Sequence, residues 1–456
     1  MKSLDALLLL GGLAVFLSQA YYALPITSDA YENFRIVKYF QDGGNFPIES
    51  AAIGAPPTIY PPVFALALYS FSELTNFPPH AALNFLSYIF MLLTAYLAYL
   101  LIRDAHSEET GGSGNGKGKP AVKTKPPFGL DEKAMLGVLG IFSLPILLYR
   151  WITPIAEMLG LVMFLLCLHA YQKRDYRFLM ALLAIFPLIH SRSFVFALLT
   201  LGFAALQRKD KMQTIKSAAI GTIIFGLYHL EYPVYAIGFD NPLVIDPAIW
   251  EIVPLLPLAM MVIGALALMK NKMRPDILST SVIAAFVLAY FILPFPFRHV
   301  IFLIIPLAYL SGEAFATDRR ILAAFCVFLA LAMVQTVQYR STPIDSQGIE
   351  MMGVIGDHPS ENVLSDFGLN YALPLFAGKK VVVGAFAEAL PDGAARAEDL
   401  SDYLSGNWPN GRDELIRKYA IGIGFFNKKT QPDGEVAQST RKLIESDGFV
   451  AYEYGE

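Results

Sequence analysis

Apolar runs of about 15–20 residues recur along this chain, parted by short polar links. That is the length a helix needs to cross a bilayer, so a polytopic α-helical membrane protein is the fold class the pattern allows. The composition agrees: of 456 residues 55% are hydrophobic, and the mean hydropathy is +0.47. Eleven spans are expected, near 4–24, 80–102, 134–150, 154–171, 177–189, 193–206, 214–230, 252–269, 277–294, 300–316 and 320–337. The net charge of −4 decides little, but where the charges sit decides orientation.

The links alternate in character. One set carries nineteen basic residues: Lys2, the group from Arg103 to Lys133, Lys173 to Arg177, Arg208 to Lys216, Lys270 to Arg274, and Arg319 with Arg320. The other carries five: Arg35, Lys38, Arg150, Arg192 and Arg298. Basic residues stay cytoplasmic, so the first set and the N-terminus face inward, and everything beyond 337 faces outward. A plasma-membrane protein with an extracytoplasmic C-terminal domain follows. The first run resembles a signal peptide at Ser18-Gln19-Ala20. Because apolar residues continue through Tyr21, Tyr22 and Leu24, a retained first helix fits better.

Two segments test the scheme. "YPPVFALALYSFSEL" (60–74) is too short to span and would invert every later link, so it reads as an interfacial or re-entrant piece. The stretch 177–206 fits a hairpin of two short helices with "HSRS" (190–193) at its outer tip. One long helix would put "QKRDYR" and "QRKDK" on opposite faces. The division is then a membrane domain 1–337, with a first exported loop 25–79 and a disordered, Gly/Lys/Pro-rich cytoplasmic linker 104–132. A small α/β domain, 338–456, follows. In it 362–367, 379–386, 419–426 and 448–454 read as strands, and 411–419 and 439–447 as helices.

Both cysteines, Cys167 and Cys326, lie in apolar spans, which excludes a disulfide framework or a CxxC metal site. No basic stripe interleaved with aromatics points to nucleic acid. The middles of the spans are nearly free of charge. A proton-coupled transporter places acids there. Here Asp29 and Glu32, Arg150, Glu157, His190 and Arg192, His229 and Glu231, and Arg298 and His299 gather at outer ends, while Glu313 and His169 lie near inner ends, at the interface. An outward-opening cavity is the expectation. The outer loop "EYPVYAIGFDNPLVIDPAIW" (231–250) reads either as a lid over it or as a plain connection.

In "TSDAYENFRIVKYFQDGGNFP" (27–47), Ser28 or Asp29 can cap a helix that runs to Phe40. Phe34 and Val37 mark its apolar face, and Gly43 and Gly44 stop it. A capped amphipathic helix in the headgroups accounts for Asp29 alone. It accounts less well for "PPTIYPP" (56–62) and another interfacial run in the same exported loop.

The order of parts carries a resemblance: a first helix, a loop with an acid two residues before an aromatic, "GGNFP", "YPP", then an apolar run. It resembles the polyprenyl-phosphate-dependent GT-C glycosyltransferases, a superfamily that includes protein O-mannosyltransferases, aminoarabinose transferases and the catalytic subunits of oligosaccharyltransferases. The resemblance implies a GT-C-like bundle with interfacial helices in the first exported loop. It implies transfer of a sugar from a polyprenyl-phosphate donor to an acceptor protein, lipid or glycan, with inversion, and a catalytic acid that matches Asp29 here. If the resemblance holds, Arg298 is the expected phosphate partner, because "PFPFRH" places it at the outer mouth between two spans, with Arg192 and Arg150 as second choices. Glu157, Glu32, Tyr31, Tyr60, His190 and His299 are the expected substrate-binding residues. Each has a plainer role: snorkelling anchors for the arginines, dipole complement for Glu157 behind Pro154, interfacial belts for the tyrosines. Metal ligands are not expected; a divalent cation stays possible. Neither the Trp-Trp-Asp signature nor the bulky C-terminal domain of oligosaccharyltransferases is present, which disfavours transfer of a whole glycan to Asn. The rival readings are a multi-span transporter or lipid flippase, and a non-catalytic scaffold.

Overall fold

The computed structural model describes residues 28–44, 48–55, 63–111, 130–141, 156–208, 211–231, 255–271, 275–292, 296–318, 320–327, 344, 346–384, 392–406, 412–429 and 440–454. The first expected span, the outer loop 232–250, and Arg150 and Tyr60 lie outside these residues. The chain forms two compact units, 1–21 with 83–228 and 241–340, and 22–82 with 229–240 and 341–456.

The apolar runs form helices. In chain order these are α1 Ser28–Gln41, α2 Val63–Thr75, α3 Pro79–Gly111, α4 Leu130–Ile141, α5 Ala156–Gln172 and α6 Tyr176–Ile189. They continue with α7 Ser191–Gln207, α8 Lys211–Glu231, α9 Leu255–Lys270 and α10 Ile277–Ile292. A 3-10 stretch, Pro296–Leu303, then runs into α11 Ile304–Thr317. Two of the described helical stretches, Pro79–His106 and His299–Thr317, are long and apolar enough to cross a membrane by length and composition. Of the others, α8 has 21 residues but is less apolar, the rest are shorter, and α2, with 13 residues, spans too little for a crossing.

Their outward faces explain what surrounds them. On α9, Leu258, Val262, Leu266 and Met269 are exposed, a stripe at helical spacing. On α8, Ile215, Ile223, Leu227 and Leu230 do the same. Water-soluble helices bury such stripes; a helix facing lipid presents them. Inside, α11 is the axis of its unit: every residue from Ile304 to Phe315 is buried. It lies close against α4 because both carry small residues there. A Cβ on Gly137 would meet the Ala308 carbonyl, and one on Gly312 would stand 2.8 Å from the Lys133 carbonyl. Without water to drive apolar association, such close backbone packing is what holds helices together in a bilayer. Glu313, placed at an interface by its position in the sequence, is buried. Lys133 Nζ approaches its carboxylate oxygens to 3.0 and 3.2 Å, and His106 Nδ1 stands 3.5 Å away.

The stretch 177–206 is two helices, and the break is one residue. His190, extended at φ −159°, ends α6 and caps α7. At the other end of α6, Asp175 accepts from the Phe178 N–H at 3.1 Å.

The second unit is built around a sheet of β1 Asn362–Ser365, β2 Lys380–Val381, β3 Ile423–Asn427, β4 Thr440–Glu445 and β5 Phe449–Tyr454, in the order β2-β1-β3-β5-β4. β1 runs parallel to β2 and β3; β5 runs antiparallel to β3 and β4. Helices fill the connections, at Ser346–Gly356, Leu373–Phe376, Gly393–Leu404 and Arg412–Lys418. The stretch 439–447, read from sequence as a helix, is a correction: its centre is β4. β5 is buried almost throughout, and the backbone groups along its free edge need partners; pairing with β4 supplies them and overrides local propensity.

The sheet does not end at β2. Residues of the first loop add to its outer edge, with the Ile53 N–H donating to the Val381 carbonyl and the Val381 N–H to the Ala51 carbonyl, each at 2.9 Å. Arg396 Nη1 donates to the Ile53 carbonyl at 2.7 Å. The sequence division kept residues 25–79 with the membrane domain; the contacts gather 22–82 with 341–456.

Candidate active site

The acid singled out by sequence, Asp29, lies in the first turn of α1, where the unpaired N–H groups of a helix favour negative charge. Its side chain lies outside the described residues. The next turns explain how α1 is held. Glu32 is 4% exposed, and Arg35 grips it twice, Nε to Oε2 at 2.8 Å and Nη2 to Oε1 at 2.6 Å. Tyr31, 2% exposed, sits in an apolar cluster with Met352, Ile355, Leu369 and Leu373, its ring 6.0 Å from Phe376 at an edge-on angle of 72°. Its hydroxyl is buried with no hydrogen-bond partner among the described residues, and burial pushes the phenol up to about 12. Phe34, Ile36 and Val37 are buried as well, so α1 is enclosed on more than one face. The helix ends as its sequence requires: Gly43 takes φ +84°, and the Gly43 and Gly44 N–H groups return to the Phe40 and Tyr39 carbonyls.

In the other unit, the structure brings together residues that sequence could only place near outer ends. Glu157, Gly160 and Phe164 share one face of α5. At Gly160 that face meets the cap of α7: a Cβ there would lie 2.7 Å from Ser193 Oγ and 3.0 Å from His190 Cβ. His190 Nδ1 accepts from the Ser193 N–H at 3.2 Å and stands 2.6 Å from Ser193 Oγ. A turn further on, Phe164 packs against Phe196 (5.7 Å) and Phe302 (5.1 Å), and Phe196 stacks on the His299 ring at 5.9 Å. Glu157 is 1% exposed and His299 0%. One seam therefore carries a buried carboxylate, two buried imidazoles and three phenyl rings. Arg192 is half-buried in the first turn of α7, beside the His190 cap. Arg298 precedes His299 in the 3-10 stretch; its side chain lies outside the described residues.

Among the described residues no three His, Cys, Asp or Glu side chains come together as a metal site. Sequence reasoning missed Lys379, 8% exposed in the loop before β2. It lies in no motif, and only tertiary packing encloses it.

In fold, this apolar helical bundle and its unit of first-loop residues and sheet resemble solved structures of GT-C glycosyltransferases over most of the chain. One is the aminoarabinose transferase ArnT from Cupriavidus metallidurans bound to undecaprenyl phosphate. It matches at a TM-score of 0.60 and 12% identity, over 99% of this chain and 98% of that one. The Archaeoglobus fulgidus oligosaccharyltransferase tethered with an acceptor peptide matches at 0.57 and 10%, over 91% and 69%. The oligosaccharyltransferase AglB from the same archaeon, in complex with an inhibitory peptide and a dolichol-phosphate, matches at 0.54 and 11%, over 93% and 69%. No protein-family model matches the chain, and no curated protein matches it in sequence.

Proposed function

We propose that this protein is an integral membrane glycosyltransferase that moves a sugar from a polyprenyl-phosphate donor to an acceptor hydroxyl at the outer face of the plasma membrane. The observation that carries the reading is the whole-chain fold match to a protein solved with undecaprenyl phosphate. The position of Asp29, in the first turn of a helix within the first exported loop, supports it further.

In the proposed reaction the acceptor oxygen attacks the anomeric carbon as the bond from that carbon to the phosphate oxygen breaks. Polyprenyl phosphate leaves and the configuration inverts. Asp29 takes the acceptor proton as general base. Arg298, with Arg192 and Arg150, neutralises the charge that grows on the leaving phosphate, a task suited to a planar guanidinium fork. Glu157, His190 and His299, buried along one seam, stiffen the wall behind the substrate, and Tyr60 offers a ring to a sugar. Glu32 and Tyr31 act from behind: the Arg35 clamp and the buried phenol ring fix α1, and with it the station of Asp29. The N-terminus lies inside, the eleven spans follow, and the α/β unit is extracytoplasmic. A monophosphate donor carries little charge to neutralise, so turnover should survive EDTA; loss of activity restored by Mg²⁺ or Mn²⁺ would refute that point.

The test is transfer of labelled sugar from a panel of polyprenyl-phosphate donors by wild type and Asp29→Asn in the same lipid. Transfer by wild type, lost in Asp29→Asn while donor binding persists, is the expected result. Equal turnover by both would remove Asp29 from the chemistry. A chain that neither binds nor turns over any donor would return the weight to a transporter.

A further inference from the structure

Within the unit formed by the first loop and the tail, the C-terminal half of α1 and the segment Glu49–Ala51 face the loop before β2 across a cavity of about 400 Å³. Small-molecule sites begin at about this size. Both signs of charge line it. Lys380 and Glu49 pair across 2.8 Å, and Arg35 is already held by Glu32. Lys379, 8% exposed, donates to the His358 carbonyl at 2.6 Å, which uses one of its three N–H groups. Lys38, Asp42 and Glu361 stand exposed at the rim, and the Tyr39 ring lines the same space.

A simple anion would meet three carboxylates here, and a simple cation four basic groups. Neutral hydroxyls suit the lining, because each both donates and accepts and can bridge a carboxylate to an ammonium. The Tyr39 ring adds a flat surface for the C–H face of a pyranose. An extended peptide would most readily dock on the outer edge of β2, but Ala51 and Ile53 already occupy that edge. Position along α1 separates this cavity from the reacting centre. Its residues on the helix run from Arg35 to Tyr39, six to ten residues beyond Asp29, about 9–15 Å along the axis at 1.5 Å per residue. A sugar in transfer must lie at Asp29. A saccharide in the cavity therefore belongs to the acceptor.

We infer that this cavity is an acceptor-side saccharide site, which binds a neutral glycan one or more units away from the hydroxyl that is glycosylated. The inference rests on the proposed glycosyltransferase reading.

The test uses the full chain in phospholipid nanodiscs and neutral trisaccharides of hexose, N-acetylhexosamine and pentose, read by saturation-transfer NMR. At least one trisaccharide should bind. The rim variant Lys38→Ala/Asp42→Asn/Glu361→Gln, exposed and so expected to fold, should weaken binding at least about tenfold, as loss of two or three hydrogen bonds implies. Tyr39→Ala should weaken it too, and Asp29→Asn should not. Failure of all three trisaccharides, wild-type binding by the rim variant, or displacement of the sugar by inorganic phosphate or acetate would overturn the inference. The two readings fail separately. Saccharide binding with full donor turnover in Asp29→Asn would sink the catalytic assignment and leave the site. No binding, with turnover lost in Asp29→Asn, would do the reverse.

Discussion

Tyr31 and Glu32 sit beside the expected catalytic acid, and their surroundings give them jobs that turnover alone would not distinguish from catalysis. The Tyr31 hydroxyl is buried without a hydrogen-bond partner among the described residues, which costs about 1–3 kcal/mol. Tyr31→Phe should therefore raise the melting temperature and leave turnover near wild type; a fall in turnover at unchanged stability would make the hydroxyl a substrate ligand. Burial raises this phenol from 10.0 to about 12, so the neutral form is favoured in the folded state. The unfolded state then loses this proton before the native state does, so stability is unaffected below pH 10 and falls as pH rises from 10 to about 12. Alkaline unfolding scans of wild type and Tyr31→Phe should diverge in that window. Glu32→Gln leaves a largely buried guanidinium without its anion, and by analogy with other buried pairs this costs about 3–5 kcal/mol. Thermal unfolding would register that loss, and should register a much smaller one, about 0.3–1 kcal/mol, for Asp29→Asn.

Helix pairs in this protein are held by small residues, and α4 against α11 is the closest case. Gly137→Leu would drive a side chain into the Ala308 carbonyl, with no flexible group to give way, and should destabilise by about 1–3 kcal/mol or more. Thermal unfolding in detergent would measure it; a neutral result would show that the two helices do not touch there. Elements differed in how legible they were. The break at His190 was visible because basic residues flank 177–206 on both sides and could not straddle a bilayer. The end of α1 was visible in Gly43 and Gly44. β4 was not, because adjacent Leu443 and Ile444 suit a helix face as well as a bulged strand, and the pairing partner decides. The short strand β2, two residues long, carries no signal of its own.

At the scale of the whole molecule, residues 22–82 are part of the unit that the C-terminal residues build. Ala51 and Ile53 complete the sheet edge, Arg396 holds the Ile53 carbonyl, and Tyr31 fills the core. Residues 341–456 expressed alone should therefore be aggregation-prone, with the outer edge of β2 unpaired and a hole where Tyr31 packs. A monomeric, cooperatively unfolding fragment on size exclusion and calorimetry would contradict this. Apolar period and charge spacing are local properties, so the sequence by itself determined where most of the apolar helices lie and made Asp29 a candidate. Tertiary structure alone decided that Tyr31 and Glu32 face inward, that Glu157, His190 and His299 share one seam, and that the loop joins the sheet. Those outcomes depend on contacts between residues that lie up to several hundred positions apart, and such contacts leave no period in the chain that makes them.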